Sequence, residues 1–89
     1  MPVPSGGPAT SSSKVLPELA EIIHLVTERP VEDVRLDRTF VDELRIDSLA
    51  MVEILEGAAR HFGVSIDDED AKYFVRVQDL VDYLASRLQ

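Results

Sequence analysis

Cysteine is absent from the 89 residues. Disulfides, thiolate metal sites and a protein thiol nucleophile are therefore excluded. Glycine is scarce, four residues in all. None of them builds a phosphate-cradling loop or the elbow that presents a catalytic serine. Only two histidines, His24 and His61, could pair with a nucleophile. Both fall within or at the end of helical patterns, where surface histidines are the plainer reading. No run approaches the roughly 20 apolar residues that span a membrane. Met1 to Ser13 has no basic side chain and no apolar block. That segment is not expected to be a signal peptide, and the expectation is a cytoplasmic protein.

Basic residues are also few, 9 against 17 acidic, for a formal charge of −8. Such a surface repels nucleic acid and anionic membranes and attracts basic protein surfaces. The same charge also suits plain solubility. The length allows one small domain with a modest core.

Residues 1–13 are Pro, Gly, Ser, Thr and Ala with almost nothing to bury. They read as a disordered tail ahead of a domain over 14–89. A first helix is expected from a cap at Ser12 or Ser13, with Leu16, Leu19, Ala20, Ile22, Ile23 and Val26 on one face. Pro17 would then lie in its first turn and Pro30 would mark its stop. Residues 29–47 form a long connection whose scattered apolar side chains predict a loop lying on the core. A short turn of helix is expected near Val41 to Leu44.

A second helix should begin at Asp47 or Ser48 and end at Gly63. Met51, Ile54, Leu55, Ala58 and Phe62 make its apolar stripe. Leu49, Val52, Glu53, Glu56 and Arg60 make a second, mixed stripe. Ser65-Ile66-Asp67-Asp68 resembles a capping box before a short helix. Val77, Leu80, Val81, Leu84 and Leu88 define the last helix. The fold class is all-α: a small bundle of three main helices plus one short helix, with a long loop between the first and second.

Asp67-Asp68-Glu69-Asp70 is a run of carboxylates that diverge around a helix rather than converge on a cation. What remains is Asp47-Ser48-Leu49, at the junction of a long loop and an amphipathic helix. Taken alone, Ser48 reads as an ordinary N-cap worth about 1 kcal/mol. The stretch Phe40 to Ile54, followed by Phe62-Gly63-Val64-Ser65-Ile66, Asp67 to Asp70 and Val77 to Leu84, resembles the acyl carrier protein family. The resemblance covers about residues 14–88.

It implies a freestanding carrier without catalytic activity. Ser48 would be esterified by 4'-phosphopantetheine, donated from coenzyme A by a phosphopantetheinyl transferase. The arm's thiol would hold acyl groups as thioesters. Asp47, Leu49, Val52, Glu53 and Glu56 would meet basic partners, among them ketosynthase, acyltransferase and other fatty-acid or polyketide enzymes. The family is usually monomeric.

Ala59-Arg60-His61, Glu56 and Arg45 depart from the family's usual pattern and point to a specialised partner set. Arg76 stands where Thr or Ser often caps the last helix. Ile46 to Glu53 looks like fatty-acid carriers, while Glu56 to Arg60 looks closer to aromatic polyketide carriers; a D-alanyl carrier stays open. Small residues at Gly57, Ala58 and Ala59 would suit either a sheltered acyl chain or closer helix packing. Apart from this resemblance, an unmodified acidic adaptor for basic partners fits the same charge and the same helix face.

Overall fold

The computed structural model describes residues 7–88. Four helices follow in chain order: α1 (Gly7–Thr27), α2 (Ser48–Phe62), α3 (Asp68–Ala71) and α4 (Val77–Leu88). Among the described residues there is no strand, only an isolated antiparallel bridge between Thr39 and Arg76. No described helix is long and apolar enough to cross a membrane. The all-α bundle expected from periodicity is the fold observed.

The core lies where α1, α2 and α4 converge. Val15, Leu19 and Ile23 of α1, Ile54 and Ala58 of α2, and Val77, Leu80 and Leu84 of α4 are fully enclosed. Removing a Val, Leu or Ile side chain from water contributes about 1.5–3 kcal/mol. These positions repeat at three- and four-residue intervals, so each helix turns one stripe inward. At Gly57, α1 and α2 come close. A Cβ built there would stand 3.2 Å from Ile22 Cγ2, tighter than ordinary packing.

The first helix begins earlier than a cap at Ser12 or Ser13 would place it. Of the expected tail, residues 1–6 lie outside the described residues, whereas 7–13 are helical. Pro8 accounts for an early start, because its fixed φ suits the first helical turn. Pro17 is consequently interior. An interior proline costs about 3 kcal/mol. Complete burial of Val15 and Leu19 on either side of it offsets that cost.

The connection between α1 and α2 is part of the core, as its scattered apolar residues predicted. Val34, Phe40, Leu44 and Ile46 are buried. Its one helical piece is a 3-10 turn at Val31–Asp33, not a turn of α-helix at Val41 to Leu44. There the chain forms a turn closed by Leu44 N–H donating to Thr39 O at 3.0 Å. Reciprocal bonds from Thr39 N–H to Glu43 Oε1 (2.9 Å) and Glu43 N–H to Thr39 Oγ1 (3.0 Å) brace it. Side chain–backbone bonds of this kind compete with helix formation.

Of the two short-range caps, the one ahead of α3 differs from expectation. The Ser65–Asp68 capping box does not form: Asp67 is the N-cap of α3 and makes no side-chain cap bond. Ser65 lies two residues too early to reach the first turn. At α4, Arg76 supplies no cap, and Asp79 does the work from inside the helix. Its Oδ2 accepts from Val75 N–H (3.0 Å) and Arg76 N–H (2.9 Å).

Candidate functional site

The start of α2 is held by the loop that precedes it. Phe40 N–H donates to Val75 O at 3.0 Å, and Ile46 N–H donates to Phe40 O at 2.9 Å. Arg29 Nε–H donates to Leu44 O at 3.0 Å. Between the buried Leu44 and Ile46, Arg45 is exposed and adopts φ 59°. This is the left-handed region, which costs a non-glycine residue about 1–2 kcal/mol. The reversal turns both apolar neighbours into the core and delivers Asp47 to the surface in extended conformation.

Asp47, not Ser48, caps the helix. Its Oδ1 accepts from Ala50 N–H at 2.8 Å, and its carbonyl accepts from Met51 N–H at 2.9 Å. Ser48 is the first helical residue and is exposed. Among the described residues its hydroxyl has no hydrogen-bond partner. Among the described residues the Ser48 and Leu49 N–H groups have no partner, as befits the first turn of a helix. A phosphodiester on Ser48 would therefore meet unpaired donors and the positive end of the helix dipole, worth about 0.3–1 kcal/mol. The exposed Arg45 guanidinium lies three residues away in sequence and makes no ion pair among the described residues. The arrangement fits a covalently attached phosphate arm.

Replacing Asp47 with Ala is expected to cost about 1 kcal/mol, the usual value of an N-cap. For a domain of this size that lowers the thermal midpoint by roughly 4–8 °C. Asp47→Asn keeps the acceptor and should keep most of the stability. Circular dichroism melts of the two variants make the check. Equal losses in both would mean that the carboxylate charge, not the hydrogen bond, carries the effect.

From Ser48 the helix presents Leu49, Val52, Glu53 and Glu56 on one exposed stripe. Leu49 is 70% exposed and Val52 50%, so the stripe sets apolar side chains beside carboxylates. Arg60 continues the stripe away from Ser48. Beside it, Val52, Leu55, Glu56, Ala59, Ile66, Asp68 and Ala71 line a cleft of about 180 Å³ between α2 and α3. The small residues of α2 thus divide by role. Gly57 permits close packing on α1, whereas Ala59 opens the cleft on the other side.

Residues 17–84 match the family model described as a phosphopantetheine attachment site. Among curated relatives, the acyl carrier protein of Acidothermus cellulolyticus is 44% identical over 78 residues, covering 88% of this chain and 93% of that protein. That of Thermobifida fusca is 43% identical, covering 85% and 96%. The solved acyl carrier protein from Enterococcus faecalis superposes with a TM-score of 0.71 at 30% identity, covering 85% of this chain and 96% of that one. The chain belongs to the acyl carrier protein family.

As an acyl carrier protein it holds acyl intermediates on covalent phosphopantetheine and is a carrier, not a catalyst. It works with a phosphopantetheinyl transferase and with synthesis enzymes. The two histidines serve the fold's surface. His61 Nε2 lies 2.8 Å from Glu18 Oε1, joining α2 to α1, and His24 Nδ1 lies 2.7 Å from Arg29 O beyond the end of α1.

Periodicity did not reveal one cluster near the cleft. Tyr83 Oη–H of α4 donates to Asp70 Oδ2 of α3 at 2.9 Å, and Arg87 donates to Tyr83 Oη at 2.8 Å. Desolvation raises the Tyr83 hydroxyl above its ordinary 10.0, and the bond to Asp70 raises it further. It therefore stays a donor throughout the neutral range. The only hint in the sequence is a tyrosine one turn beyond Leu80 on the inward side of α4.

Proposed function

We propose that Ser48 is the attachment residue and that residues 14–89 are the carrier domain. The observation that carries this reading is an exposed serine hydroxyl at a helix start whose capping role is already taken by Asp47. Ser48 Oγ attacks the β-phosphorus of coenzyme A. The pyrophosphate bond breaks, adenosine 3',5'-bisphosphate leaves, and the serine proton passes to a base on the transferase. When bound, the arm supplies the thiol that this cysteine-free chain lacks, holding the acyl group as a thioester.

Asp47, Leu49, Val52, Glu53 and Glu56 form the proposed docking face. Carboxylates beside exposed apolar side chains suit a partner with a basic rim around an apolar contact. Ketosynthase, acyltransferase and the transferase of a fatty-acid or polyketide pathway are the proposed partners, met by a monomer in the cytoplasm. Glu56 and Arg60 favour a partner whose charge pattern is mixed rather than uniformly basic. The α2–α3 cleft is proposed to shelter the cargo. Its Val52 lies one helical turn from Ser48, and apolar cavities of about 150 Å³ take up molecules the size of benzene.

The test is intact-protein mass spectrometry after incubation with coenzyme A and a broad-specificity phosphopantetheinyl transferase. One added phosphopantetheine on the wild type and none on Ser48→Ala is the expected result. Addition to Ser48→Ala would move the site. No addition to either, with several transferases, would favour an unmodified acidic adaptor.

A further inference from the structure

The α3 segment is short of intrinsic support. It has four residues, no buried side chain and no side-chain cap. An isolated turn of helix does not persist in water, because nucleation is unfavourable. Three carboxylates in succession, Asp68, Glu69 and Asp70, add mutual repulsion. Yet α3 forms one wall of the cleft through Asp68 and Ala71.

What fastens it is the cluster on α4. Tyr83 Oη is bonded to Asp70 at 2.9 Å and to Arg87 at 2.8 Å. Arg87 also reaches Asp70 Oδ2 at 3.7 Å. The Arg87 guanidinium lies over the Tyr83 ring at 4.5 Å from its centroid. Phe74, just beyond α3, meets the same ring edge-on at 5.1 Å. One tyrosine thus fastens the C-terminal half of the segment and its exit to α4, by its hydroxyl at Asp70 and by its ring at Phe74.

With α3 in place the cleft offers only about 180 Å³. That suffices for a short apolar chain, whereas a long one needs the α3 wall to move outward. We propose that the Asp70–Tyr83–Arg87 latch makes Tyr83 a specificity-determining positioning residue: it admits short acyl chains with α3 in place and makes longer chains enter at the expense of the latch. This rests on the reading that the cargo enters the α2–α3 cleft. Tyr83 acts on the cargo through α3 and does not touch it.

The test loads wild type and Tyr83→Phe with butanoyl, octanoyl and tetradecanoyl arms. Methyl shifts of Leu55, Ile66 and Ala71 report the cargo. Amide exchange at Asp70, Ala71, Tyr73 and Phe74, whose N–H groups are bonded within the segment, reports α3. The latch is expected to slow exchange at these amides about tenfold in the wild type relative to Tyr83→Phe, with α1 and α2 unchanged. Tetradecanoyl, but not butanoyl, should erase that protection in the wild type and add nothing in the variant. Asp70→Ala should match Tyr83→Phe, and the double variant should be no faster than either. Equal α3 exchange in wild type and variant would overturn the proposal. So would acceleration of all helices in step, which is a global loss of stability. Cleft methyl shifts that stay unchanged with every chain would instead sink the cargo reading, and the chain-length role with it, whatever α3 exchange shows.

Discussion

Phe40→Ala is expected to destabilise the protein by about 3–5 kcal/mol, the usual cost of emptying a buried phenylalanine site. Domains of this kind have total stabilities of about 5–15 kcal/mol. The variant should therefore melt far below the wild type or populate unfolded chain at room temperature. Phe40 lies in the connection between α1 and α2, where a substitution would ordinarily be benign, but its side chain is only 1% exposed. Its backbone ties the loop to both neighbours, donating to Val75 O and accepting from Ile46 N–H. The second of these bonds lies two residues from Ser48. Urea denaturation should show the stability loss, and the rate of Ser48 modification should fall with the folded fraction. A loss below about 1 kcal/mol would mean that the loop merely covers the core without belonging to it.

The second large effect is electrostatic. Reversing Glu53 and Glu56 together to Lys is expected to lower kcat/KM for phosphopantetheinyl transfer about 10–100-fold at low salt. Clefts and faces of one charge sign alter association rates by factors of this order. The difference should shrink at high salt, where the Debye length falls to about 3 Å at 1 M. Both side chains are exposed, so the thermal midpoint should barely move; exposed substitutions of this kind usually stay within about 0.5 kcal/mol. A salt-dependent loss of rate with unchanged stability would assign the α2 stripe to docking. An unchanged rate would assign docking to another face.

The helices and their inward faces were legible because burial imposes a period that the sequence must obey. Leu80, Val81 and Leu84 can share one side of α4 only in that arrangement. The exposed stripe of Leu49, Val52, Glu53 and Glu56 was legible for the same reason. Residue pairs far apart in the chain were not. Nothing local distinguishes Asp70, which meets Tyr83 and Arg87, from Asp68 beside it. Arg29 bonds to the Leu44 carbonyl, a partner that no periodicity names. The start of α1 is ambiguous in the sequence because Pro8 and Pro17 both suit a first helical turn, and the helix begins at Gly7.

The sequence by itself determined an acidic, cysteine-free, all-α domain with a serine at the head of its second helix. Composition and spacing suffice for that, because charge, missing chemistry and amphipathic period are properties of the chain alone. Only the tertiary structure decided that the loop ahead of α2 is pinned from afar, by Phe40 N–H on Val75 O and by Arg29 Nε–H on Leu44 O. It alone decided that Gly57 packs against α1 while Ala59 opens toward α3, and that α3 is fastened through Tyr83. Hydrogen bonds act over about 3 Å, so such contacts exist only once the fold has brought distant residues together.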